Sequence, residues 1–448
     1  MTRAADDRGR AGNVASDLRR LQSRDTPLSQ VSLVLESVYQ NRKQNGYKRI
    51  DVAEAVTSTV LTEPALANAG LKALAGLLES CQTQEIKRGT LVETDLISCI
   101  VKKIVSISHM PVCSTTAFTA YEALKLCFLK TSVPISVPIA CEACHAVASL
   151  HRHGSEWHRA IRDSGVVVVI IGFVTSTRMN RNDTSKAIVA GCRALCGTLA
   201  RESRGPGGAG ALGEHILGDG RALAVVSCLG ACIDASAKSS AAGDGGAASP
   251  AAAAGILSLL CMLVVASESP ANRDSLRDSG ACTVVSRALR AGTAGSAGRD
   301  RACVILAELA RSDKDLEDAS SSIIAALRNG SGDMDAVLAC CNAMERMAEQ
   351  PGGAYALVKL GACQAMVAAL QGAHRSDSRT TYLHVLGVAK ALARSDEVLA
   401  AEKAFDDANA HAVLSNMRGC EGWPCEQQGL RLQRGITTRF GRKRSRDE

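Results

Sequence analysis

Apolar and polar positions repeat along the chain in a line written more than once. Asn272 to Gly292 reads NRDSLRDSGACTVVSRALRAG, and Ser155 to Val174 reads SEWHRAIRDSGVVVVIIGFV, with the same RDSG. The pattern predicts a short charged helix (NRDSLRDS), a glycine stop, a second helix (ACTVVSRAL), a turn and a longer third helix (GRDRACVILAELA). A glycine at position 280 suits a left-handed helix end, where a Cβ would clash.

Aligned on their closing bulky pair, Gly280-ACTVVSR-Ala288-Leu289 matches Gly361-ACQAMVA-Ala369-Leu370, with Asp318-ASSSIIA-Ala326-Leu327 between them. Steps of about 40 residues separate these lines, a spacing characteristic of stacked helical repeats. Gly165-VVVVIIGFV and Gly220-RALAVVSCL lie upstream at longer steps, which places insertions near 203–213 and 236–250. Ala408-NAHAVLSNM is a further candidate downstream. Third-helix patterns recur at 140–150, 187–200, 256–266, 301–310, 336–348 and 383–393. VVVVIIGFV is β-branched and would suit a buried strand, but its register makes it a second helix.

Thr26-Pro27 reads as a helix start, with Val31, Leu33, Leu35, Val38 and Tyr39 roughly on one face. The remaining prolines fall at predicted boundaries, as an all-helical chain requires. Residues 1–25 are polar and read as disordered, 26–417 as the repeat body, and 418–448 as a basic, disordered tail.

These lines resemble an armadillo repeat. The likeness is clearest from 155 to 417 and weaker from 27 to 150, where Asn68-Ala69-Gly70-LKALAGLL resembles a second helix. HEAT repeats are the alternative, but they usually lack the short first helix. The resemblance implies an all-α, right-handed superhelical solenoid of roughly 40-residue, three-helix repeats. Third helices would then line a concave groove suited to an extended partner. The Trp/Asn ladder of cargo-carrying armadillo proteins is not matched: Trp157 and Trp423 fall outside the third helices. Arg193, Glu308, Asn342, Arg346 and Lys390 make a mixed-charge groove instead, unless they are merely solvated helix positions.

Composition narrows the chemistry. Of 448 residues 46% are hydrophobic and 3% aromatic, so the core is aliphatic and ring-stacking platforms for bases are disfavoured. The net charge of +7 concentrates at the end. Residues 431–448 carry seven basic and two acidic side chains. Within them Arg442, Lys443, Arg444 and Arg446 read as a nuclear-localisation signal for an import receptor. A solvated cluster and sequence-independent phosphate contact are the alternatives. The N-terminus shows no secretory signal, so the 18 cysteines are expected to be reduced. Residues 245–267 are uncharged, but their strongly apolar part is too short to span a membrane.

Other motifs lack their context. Cys141-Glu142-Ala143-Cys144-His145 is a literal C-x-x-C-H, but it sits where a third helix belongs. His145, His151, His153 and His158, and Cys420 with Cys425, lack the ligand spacing of zinc sites. Gly205 to Gly210 satisfies G-x-G-x-x-G but follows a helical pattern, not a strand. Asp406-Asp407 and Glu317-Asp318 read as solvated helix-start carboxylates. The expectation is a non-enzymatic protein-binding scaffold with no cofactor, metal or membrane association, located in the cytoplasm or nucleus. A transport or chaperone-type adaptor using the basic tail is the alternative. The competing class is an enzyme or metal protein built around residues 141–158.

Overall fold

Gly280 has φ 75° and ψ 24°, a left-handed conformation that L side chains resist. Its N–H donates to the Arg277 carbonyl at 2.8 Å, and there one helix ends and the next begins. Gly165, Gly220 and Gly361 share this setting, with φ of 68°, 76° and 86°. The repeated line in the sequence is therefore a repeated backbone event.

The computed structural model describes residues 114–130, 137–150, 182–202, 208–242, 248–265, 269–292, 295–330, 333–375, 379–395 and 398–408. It also describes most of 160–176 and short pieces at 30–35, 69–73, 101 and 104. The protein is all-α: among the described residues there is helix and turn and no strand. The chain divides into two units, 1–221 and 222–448.

The first unit contains α1 (Ser114–Lys130), α2 (Val137–Leu150), α3 (Val166–Ser176), α4 (Asn182–Glu202) and α5 (Gly208–Leu217). The β-branched run is helix, α3, as its register predicts. Packing decides against propensity here, because Val166, Val167, Ile170, Ile171 and Val174 are all buried. α2 packs on α4, and α3 packs on both α1 and α4. The α3–α4 approach depends on Gly191, whose Cβ would stand 2.5 Å from Val174 Cγ2. Lys125 Nζ donates to the Ser164 carbonyl at 3.0 Å, holding α1 to the turn before α3. At 30–35, Val31, Val34 and Leu35 are buried, but Leu33 is 70% exposed. Leu33 thus lies off the face assigned to it, since two residues from Val31 and from Leu35 is half a turn round a helix. Val38 and Tyr39 lie outside the described residues.

The second unit contains α6 (Arg221–Ala242, from its second residue), α7 (Ala248–Val265), α8 (Pro270–Asp278), α9 (Ala281–Ala291) and α10 (Gly295–Leu309). It continues with α11 (Asp313–Asn329), α12 (Met334–Ala348), α13 (Gly353–Lys359), α14 (Ala362–Arg375), α15 (Arg379–Arg394) and α16 (Val398–Asp407). Helices α8, α9 and α10 are the predicted triplet, with Pro270 at the start of α8. The next triplet differs. Asp318 stands where the others have glycine, and α11 runs straight through it for 17 residues. Without a residue that favours the left-handed turn, first and second helices fuse.

Within both expected insertions the described residues are helical. Gly208 to Leu217 forms α5, which precedes Gly220 as α8 precedes Gly280. The glycine-rich tract thus contains a first helix. Residues 236–242 extend α6 to 22 residues, and α7 begins at Ala248. Alanine and serine tolerate helix well enough for tertiary packing to extend it.

In this unit third helix packs on third helix: α7 on α10, α10 on α12, α12 on α15. A parallel layer runs α9, α11, α14, and α14 also meets α16. The interior is aliphatic, with Leu260, Leu306, Ile323, Met344 and Leu357 wholly buried. Side chains from neighbouring helices satisfy the carbonyls that third helices leave open at their ends. Arg277 Nε donates to Leu309 O at 2.8 Å, Arg273 Nε to Val264 O at 3.3 Å, and Gln350 Nε2 to Ala307 O at 2.5 Å. Each ties one triplet to the last turn of a third helix.

Candidate interaction face

The groove residues named from the sequence sit on third helices. In the first unit Arg193 is exposed on α4. In the second, Glu308 is on α10, Asn342 and Arg346 on α12, and Lys390 on α15; all are exposed except Glu308, which is half-buried.

Two of them meet. Arg346 Nη1 donates to Glu308 Oε1 at 2.8 Å, bridging α10 and α12. Sequence reasoning missed a third member: Arg273, on α8, brings Nη2 to 3.9 Å from Glu308 Oε2. Glu308 therefore lies between two guanidiniums, one from its own triplet and one from the next. The signal was present in NRDSLRDSG, whose arginines at 273 and 277 lie one turn apart. Asn342, one turn before Arg346, has an exposed side chain. Lys390 lies one turn beyond Gly387. The Glu345 carboxylate lies against Gly387, within 3.0 Å of where a Cβ would stand, so that glycine lets α12 and α15 come close.

Cys261 on α7 borders the Glu308–Arg346 pair. Burial pushes its thiol above the ordinary value; Arg301 and Arg346 pull it down and Glu308 pushes it up. The outcome is a thiol, not a thiolate nucleophile.

The remaining motifs fall out as follows. Cys141, Cys144 and His145 lie along α2; Cys144 is buried, Cys141 half-buried and His145 exposed. Burial holds the Cys144 thiol far above its usual range. Among the described residues no group of three His, Cys, Asp or Glu side chains is placed to hold a metal. Gly208 and Gly210 open α5, behind helix α4 and not behind a strand, so the G-x-G-x-x-G pattern has no dinucleotide setting. Glu317 is paired with Lys359 at 2.6 Å, an exposed ion pair and not half of an acid–base dyad. No single helix among the described residues is long and apolar enough to cross a membrane. His151, His153, His158, Trp157, Cys420, Trp423, Cys425 and the basic residues Arg442, Lys443, Arg444 and Arg446 lie outside the described residues.

No family model and no curated protein matches the chain. Solved structures do. A crystal structure of an engineered protein aligns at TM-score 0.50 and 18% identity, covering 95% of this chain and 98% of that one. This likeness is one of fold. A chain from a structural study of a phosphorylation switch controlling the interaction between cadherin and beta-catenin aligns at TM-score 0.33 and 12% identity. It covers 96% of this chain and 99% of that one.

Proposed function

We propose that the chain is a non-enzymatic scaffold that binds a protein partner, in extended form, along its third helices. The proposal includes an armadillo-like solenoid, right-handed, of roughly 40-residue repeats, with the third helices on the concave side. One observation carries it: α7, α10, α12 and α15 lie side by side, and polar groups of both signs stand on them at Glu308, Asn342, Arg346 and Lys390. A row of neighbouring helices presenting spaced polar groups suits a long partner better than a compact substrate. Its mixed charge favours alternating contacts over a uniformly acidic or basic ligand.

The test is affinity capture with the full chain and with a variant carrying Arg193→Glu, Arg346→Glu and Lys390→Glu. The reading expects a reproducible partner set that the folded variant loses. If the folded variant captures the same partners, the third-helix face is not the binding surface.

A second reading rests on the seven basic and two acidic residues of 431–448. In it the tail docks an import receptor, and the chain works as a transport or chaperone-type adaptor shared between cytoplasm and nucleus. Deleting residues 441–448 from a fluorescent fusion tests it: the deletion should abolish nuclear accumulation. Unchanged accumulation removes the tail from the argument.

A further inference from the structure

We draw no further inference here: the strongest candidate, the surface patch of Arg273, Glu308, Arg346 and Glu349 around the ends of α10 and α12, belongs to the face already described, and its carboxylates balance its guanidiniums, so nothing in the structure shows what covers it.

Discussion

Arg346 donates to Glu308 at 2.8 Å although 38 residues separate them. The pair closes because α10 and α12 lie side by side. Glu308 is the more enclosed partner, with 22% of its side chain exposed against 53% for Arg346, and it also faces Arg273. Exposure on the arginine side limits the pair to a modest contribution, about 0.5 kcal/mol. A double-mutant cycle with Glu308→Ala and Arg346→Ala in urea should give that coupling. Glu308→Ala should cost more than Arg346→Ala, because it unpairs two guanidiniums. Zero coupling would mean that the pair does not persist in solution.

Gly280→Val should cost about 1–2 kcal/mol, from the left-handed backbone alone. Nothing lies within 4 Å of the position a Cβ would take there. Gly280→Asn should therefore recover part of the loss, since asparagine tolerates that region. Gly191 is the contrast: its backbone is ordinary, but a Cβ would meet Val174 Cγ2 at 2.5 Å. At Gly191 even alanine should cost about 1–3 kcal/mol through overpacking, and asparagine should be worse. Urea midpoints for the four variants separate the two causes. A neutral Gly280→Val would mean that the helix stop lies elsewhere.

Ser312 caps the fused helix α11. Its Oγ accepts from the Asp315 N–H at 3.1 Å and donates to the Asp315 carboxylate at 2.7 Å. Ser312→Ala should destabilise by about 1 kcal/mol, and Ser312→Gly by only a few tenths. Equal losses in thermal melts would show that the hydroxyl is not the cap.

The contrast between α8–α9 and α11 shows what a linear reading can reach. The break at Gly280 was legible because it depends on one residue and its two neighbours. The fusion at Asp318 is not legible from a register that sets Asp318 in a glycine's column, although the missing glycine is itself the missing stop. The glycine-rich composition of 203–213 suggests a loop insertion, but from Gly208 onward the tract is helix. Its helical state becomes sensible once α5 is seen to precede Gly220 as a first helix. The sequence pattern places Glu308 and Arg346 each on a third helix. Their pairing was not legible, since it depends on the axial offset between two helices, which the chain does not write locally. Arg277 capping Leu309 is of the same kind.

Cys282 and Cys363 stand at equivalent places, one residue into α9 and α14 behind Gly280 and Gly361. Burial pushes both thiols up to about 12; the Asp315 and Asp318 carboxylates add to the effect at Cys282, and Arg277 opposes it. The Cys363 Sγ–H donates to the Ala401 carbonyl at 3.9 Å. Unfolding returns each thiol to an ordinary value near 9. A folded pKa above the unfolded one gives stability that is complete below pH 9 and lost as pH rises towards 12. The slope is at most about 1.4 kcal/mol per pH unit for each thiol. Urea midpoints at pH 8 and pH 10.5 should therefore fall for the parent chain, and fall less for a Cys282→Ala, Cys363→Ala double variant. Alanine cannot ionise, so it removes this linkage while leaving other alkaline titrations in place. An unchanged fall in the double variant would mean that the two thiols ionise in the folded chain as readily as in the unfolded one, and that the interior around them is not closed to solvent.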